Sequence, residues 1–135
     1  MSTTTYDTPI HGTYNFPNYD FAETVGSSTT HSIPVPAGYK GKLKDISVAL
    51  TEITAWTANL GIVQVGITGN TDAYGQLNIP TGQADNSIYN STDDTDAIIA
   101  ADIAAETCVI VTLTEATGGV LTGQGYVTVY IDWYK

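Results

Sequence analysis

Few residues in this chain could do chemistry at neutral pH. His11 and His31 are the only imidazoles, Cys108 is the only thiol, and Asp93-Asp94-Thr95-Asp96 is the only dense acidic cluster. Nucleophilic catalysis needs a nucleophile, a base and an oxyanion-stabilising group that can be named together. Here His11 falls in an irregular stretch and His31 opens a strand beside Thr30 and Ser32. A Cys108–His dyad has no local motif behind it. The run Cys108-Val109-Ile110-Val111 instead makes Cys108 an expected small buried hydrophobe. The acidic cluster offers hard oxygen ligands of the kind calcium takes. It lacks the glycine and terminal glutamate of an EF-hand loop, so the expected role is a solvated loop tip or a cap. No catalytic, cofactor or metal-binding residue is therefore assigned, and a non-enzymatic protein is expected.

Charge narrows the partners. Four Lys and no Arg stand against 14 Asp and Glu, a formal net charge of −10 over 135 residues. Nucleic-acid binding draws its affinity from neutralising phosphates, and anionic membranes attract basic segments. Neither is an expected partner. Met1-Ser2-Thr3-Thr4-Thr5-Tyr6-Asp7 has neither the basic start nor the apolar run of a secretory leader, so synthesis in a cytoplasm is expected. One cysteine excludes an internal disulfide, and a domain of this length folds without such a staple.

The elements that would position any site are strands. Residues 1–29 show neither helical nor strand periodicity, yet carry Tyr6, Tyr14, Phe16, Tyr19 and Phe21. Disordered segments are poor in aromatics, so an extended N-terminal arm lying on its own domain or a neighbour is expected. Residues 30–135 read as one β-domain. Ile33 and Val35 alternate with Pro34 and Pro36, which suits an edge strand or lead-in, and Ala37-Gly38-Tyr39 reads as a turn. Lys40, Lys42 and Lys44 share a parity with Ile46, Val48 and Leu50. One strand cannot aim both sets at a core, so a β-bulge or kink is predicted near Lys44-Asp45. It leaves the three lysines on one outward face.

Further strands are predicted over 60–68, 74–79, 87–90, 107–115 and 126–134. Residues 93–106 read equally as a short capped helix over 97–101 or as loop and strand. Gly118-Gly119, Gly123 and Gly125 read as a loop. In the last strand Val127, Val129, Ile131 and Trp133 face the core, while Tyr126, Tyr130 and Tyr134 point outward with Ile110 on the expected partner strand. This spacing of short strands predicts an antiparallel β-sandwich of jelly-roll type. The tyrosine stripe and the lysine face are the two candidate contact surfaces: tyrosine is enriched at interfaces, and lysines on an anionic body suit an acidic neighbour.

The stretch Ile33-Pro34-Val35-Pro36-Ala37-Gly38-Tyr39-Lys40-Gly41-Lys42-Leu43-Lys44-Asp45-Ile46 resembles small structural proteins of tailed bacteriophages, cyanophages among them. So does Thr107-Cys108-Val109-Ile110-Val111-Thr112-Leu113-Thr114 through Gly118-Gly119 to Val127-Thr128-Val129-Tyr130-Ile131-Asp132-Trp133. The resemblance covers about residues 30–134 and has no catalytic residues to carry over. It implies a trimeric jelly-roll decoration or cement protein, seated on the capsomers of a major capsid protein at the outer surface of the virion. The other function weighed is a carbohydrate- or receptor-binding module of a tail or fibre, using Trp56, Tyr74 or Tyr89 as stacking platforms, with calcium in the Asp93–Asp96 loop.

Overall fold

The computed structural model describes residues 10–22, 28–56, 61–105, 107–116 and 122–135. Their strands are β1 (Ile10–Asn15), β2 (Tyr19–Asp20), β3 (Ser28–Pro34), β4 (Lys40–Thr54) and β5 (Gly61–Ile67). They continue with β6 (Asn70–Ile79), β7 (Ser87–Asn90), β8 (Asp102–Ile103), β9 (Cys108–Thr114) and β10 (Thr122–Tyr134). Every strand pairing is antiparallel. The first sheet has the order β1-β10-β4-β7, with β2 beside β10 and β8 beside β4; the second has the order β3-β9-β5-β6.

That order has a simple origin. The pairs β1–β10, β3–β9, β4–β7 and β5–β6 follow one another like the rungs of a single long hairpin whose tip is the β5–β6 turn. Rolling that hairpin up brings β10 against β4 and β9 against β5, which is the strand order of a jelly roll. The predicted sandwich is thus the observed fold.

Period-two alternation puts one side of each sheet in the core. Val127, Val129, Ile131 and Trp133 of β10 and Leu43, Ile46, Val48 and Leu50 of β4 meet Val109, Val111, Leu113, Val63, Val65 and Leu77 from the second sheet, all buried. Phe21 and Trp56 pack together near one end, ring centroids 6.1 Å apart. Trp133 packs against Tyr14 with an edge-on ring contact, and its Nε1 donates to the Tyr14 hydroxyl at 2.6 Å.

Three expectations are corrected. The segment expected as an arm is extended, but residues 10–22 belong to the sandwich: β1 pairs with β10 from Ile10↔Trp133 to Asn15↔Thr128, and Phe16 and Phe21 are buried. Tyr6 and Pro9 of that segment, like Gly118-Gly119, lie outside the described residues. Gly123 and Gly125, expected in a loop, are core-facing strand residues of β10. A Cβ on Gly125 would stand 3.0 Å from the Ala49 carbonyl oxygen, so glycine there lets β4 come close. Cys108 is exposed, because Val109, Val111 and Leu113 take the inward parity of β9. Of residues 93–106, which read equally as a short helix over 97–101 or as loop and strand, the described residues 93–105 form turns with one bridge between Gly75 and Ile98, then the short strand β8.

Candidate interaction surface

The outer face of the first sheet gathers most of the residues singled out from sequence. Its geometry starts at the predicted bulge. Tyr130 pairs with Asp45 and Ile131 with Leu43, which leaves Lys44 as the extra residue of β4. Leu43 and Ile46 both reach the core as a result, and Lys40, Lys42 and Lys44 are all exposed. Without the bulge a single parity would bury the lysines or expose the aliphatics.

The register then sets the lysine and tyrosine columns side by side. Tyr134 lies opposite Lys40, and the Lys40 Nζ sits 5.8 Å from the Tyr134 ring centroid, a cation–π contact. One row crosses four strands as Asp102, Lys42, Asp132 and His11. His11 Nδ1 and Asp132 Oδ1 are 2.6 Å apart. Among the described residues no lysine has a carboxylate within 4.0 Å, so the register aligns opposite charges without locking them into ion pairs. A shallow groove of about 380 Å³ runs between His11, Thr13, Lys44, Asp45, Tyr130 and Asp132.

At the other end of the same face the surface turns apolar. Tyr126, Ala49 and Ile88 share a row across β10, β4 and β7. Tyr126 is 49% exposed, Ile88 64% and Tyr130 38%. The Ile88 contribution was not singled out from sequence. Its only local signal is an aliphatic residue of outward parity in Ser87–Asn90, which cannot be oriented until the partner of β7 is known. Ile110 does not belong here. Its strand β9 pairs with β3 and β5, opposite Ser32 and Gly66 in the second sheet.

The residues weighed for chemistry are dispersed. His11 lies on β1 beside β10, whereas Cys108 lies on the other sheet opposite Pro34. His31 stacks on Phe16 at 4.9 Å and pairs with Val111, so neither imidazole meets the thiol. In the Asp93–Asp96 segment, Asp93 and Asp94 use their carboxylates on the backbone. Asp93 Oδ2 accepts from the Asn90 N–H, while Asp94 accepts from the Asn78 and Asp96 N–H groups. These are Asx-type contacts that hold a loop's shape. Asp45 likewise accepts from both the N–H and the hydroxyl of Ser91. Of the proposed stacking platforms, Trp56 and Tyr74 are buried, and Tyr89 packs half-buried on the inner side of β7.

Two phenols are held above their ordinary pKa. Burial, then the charges of Asp94 and Asp93, raise Tyr89. Burial and Glu115 raise Tyr19, against a lowering hydrogen bond with Thr29. A phenol favoured as neutral in the folded state adds stability that is complete below its unfolded value of 10.0 and is lost as pH climbs through the folded value. In an alkaline titration followed by tyrosinate absorbance, two phenols are expected to ionise late, with circular dichroism fading as they do. Ionisation of all tyrosines in one step near their ordinary value, with the fold intact, would contradict this.

No family model matches the chain, and no curated protein matches it. Among solved structures, it is similar to one of Desmodium yellow mottle tymovirus, with 14% identity, a TM-score of 0.36, and coverage of 93% of this chain and 87% of that one. At that score the likeness carries no argument, and the jelly-roll assignment stands on the strand order alone.

Proposed function

We propose that this protein is a non-enzymatic virion structural protein, a decoration or cement protein that binds the outer surface of a capsid shell as a trimer and bridges copies of the major capsid protein. The observation that carries the reading is the outer face of the first sheet. It sets exposed Tyr130 beside three lysines that, among the described residues, have no carboxylate within 4.0 Å, with exposed Tyr126 and Ile88 at the other end of the same face, on a chain with a net charge of −10. Rigid aromatic rings supply contact area at low entropic cost, and the lysines favour an acidic neighbour in one register. The acidity of the rest suits the outside of a shell, away from packaged nucleic acid. Contacts of modest strength suffice there, because a lattice repeats them. The resemblance of Ile33–Ile46 and Thr107–Trp133 to tailed-phage structural proteins supports the same reading. The tail- or fibre-module alternative is disfavoured by the burial of Trp56 and Tyr74.

The test has two arms. Native mass by size-exclusion chromatography with light scattering is expected to give a trimer that EDTA leaves unchanged. A monomer, or an assembly that EDTA dissolves, would favour the ligand-binding alternative. In the second arm, DNA-free shells assembled from the co-expressed major capsid protein of the same genome are sedimented with the protein. The pair Tyr126→Asp and Ile88→Asp is expected to weaken retention roughly thirtyfold or more, the size of an interface hot spot. Equal retention of wild type and variant would remove this face from the contact.

A further inference from the structure

The outer face of the second sheet has an opposite character. Where β3, β9, β5 and β6 run in register (Ser28–Pro34, Cys108–Thr114, Ile62–Gly66 and Gly75–Ile79), no outward side chain is charged. This is notable on a chain with 18 charged residues. One row crosses all four strands as Thr30, Thr112, Gln64 and Gln76. The amides are already tied to each other: Gln64 Nε2 donates to Gln76 Oε1 at 2.7 Å, and Gln76 Nε2 donates to Asn78 Oδ1 at 2.9 Å. Ile62 and Ile110 flank the row half-buried. At its centre Thr112 is only 6% exposed, and its Oγ1 is buried with no hydrogen-bond partner. A buried hydroxyl without a partner is uncommon in folded proteins and marks a surface whose polar groups are incompletely satisfied.

We infer that this face is a self-association surface, on which two copies of the chain pack sheet to sheet about a two-fold axis. The argument for a second copy as the occupant is chemical. Amides and hydroxyls each donate and accept, so a row of them is complementary to its own image, which a charged patch is not. Two bodies of charge −10 repel, and they approach at least cost through a face that carries no charge. The tied amides also lose little freedom on contact. Four strands at about 4.8 Å spacing, two of seven residues and two of five at about 3.4 Å each, give on the order of 400 Å² in projection. That falls short of the roughly 800 Å² per partner of a standard interface, so pairing is weak and reversible. The inference is independent of the shell-binding face, which lies on the other sheet.

Sedimentation equilibrium over a wide range of protein concentration tests it. The native mass is expected to double reversibly as concentration rises, whether the starting unit is a monomer or a trimer. Gln64→Lys with Thr30→Lys is expected to raise the dissociation constant about a hundredfold, because like charges then oppose one another. The same holds for Gln64→Glu with Thr30→Glu. Mixing the lysine and glutamate variants is expected to restore pairing. Circular dichroism and a thermal melt confirm that each variant is folded, and Lys42→Glu on the other sheet is expected to leave doubling unchanged. A wild type that never doubles, variants that double as the wild type does, or a mixture that stays unpaired would each overturn the inference. None of these outcomes touches shell retention through Tyr126 and Ile88.

Discussion

Replacing Trp133 with alanine is expected to cost about 4 kcal/mol of folding stability, within the range for emptying a buried indole site. Trp133 is 1% exposed and near the end of β10. Its Nε1 donates to the Tyr14 hydroxyl, and this bond fastens β1 to the sheet from the core side. Gly41 lies directly beneath the ring: a Cβ there would stand 2.5 Å from Trp133 Cζ3, so the β4 backbone has closed on the indole face. Alanine at 133 would therefore leave a cavity bounded by backbone, which collapses less readily than one bounded by side chains. Denaturant unfolding should show a lower midpoint with an unchanged slope. Trp133→Phe should lose less, since it keeps most of the apolar volume and gives up chiefly the bond to Tyr14. A loss below about 1 kcal/mol for the alanine variant would mean that the indole does not hold β1 and β4 together. The effect would reach the outer surface, because Asp132 and Tyr134 flank Trp133 in sequence and face the lysines.

What sequence can reveal here depends on whether the signal is local. The bulge at Lys44 was legible because it follows from a parity conflict inside one strand, between Lys40, Lys42 and Lys44 and the aliphatics after them. The core faces of β9 and β10 were legible for the same reason. The jelly-roll class followed from the number and spacing of such strands. Strand partners are not local, and that is where the reading failed. Ile110 has the right outward parity on β9, but only the pairing β9 makes with β3 and β5 shows that it faces away from the tyrosines. Ile88 joins Tyr126 only through Ala49, two pairings away. β1 escaped because its inward residues include Gly12, which has no side chain to mark a face, and because Pro17 follows closely. The turn preference of glycine points to a loop at Gly123 and Gly125, yet both lie on β10, and at Gly125 glycine serves close strand approach.

The largest effect from the smallest change is expected at Gly66. Gly66→Ala adds one methyl group, and that carbon would stand 2.2 Å from the Asn70 carbonyl oxygen and 2.5 Å from the Thr71 carbonyl carbon. Both contacts are backbone, so no rotamer change relieves them. The cause lies in the β5–β6 hairpin. Val65 pairs with Gly75 but Ile67 with Asn70, so β6 carries extra residues that fold back over Gly66. Gly69, with φ of +86°, closes the turn beside them. Overpacking of this kind costs about 3 kcal/mol or more where nothing flexible can yield. This hairpin is also the tip about which the long hairpin of the jelly roll is rolled, so its failure should not stay local. Thermal unfolding of Gly66→Ala should fall well below wild type. Gly38→Ala is an instructive contrast: its added methyl meets nothing within 4 Å, and only the φ of +78° opposes it. A Gly66 variant as stable as the Gly38 variant would show that the extra residues of β6 can move aside. The second sheet's outer face, where Gly66 lies opposite Ile110, would then be more pliable than a rigid self-association surface requires.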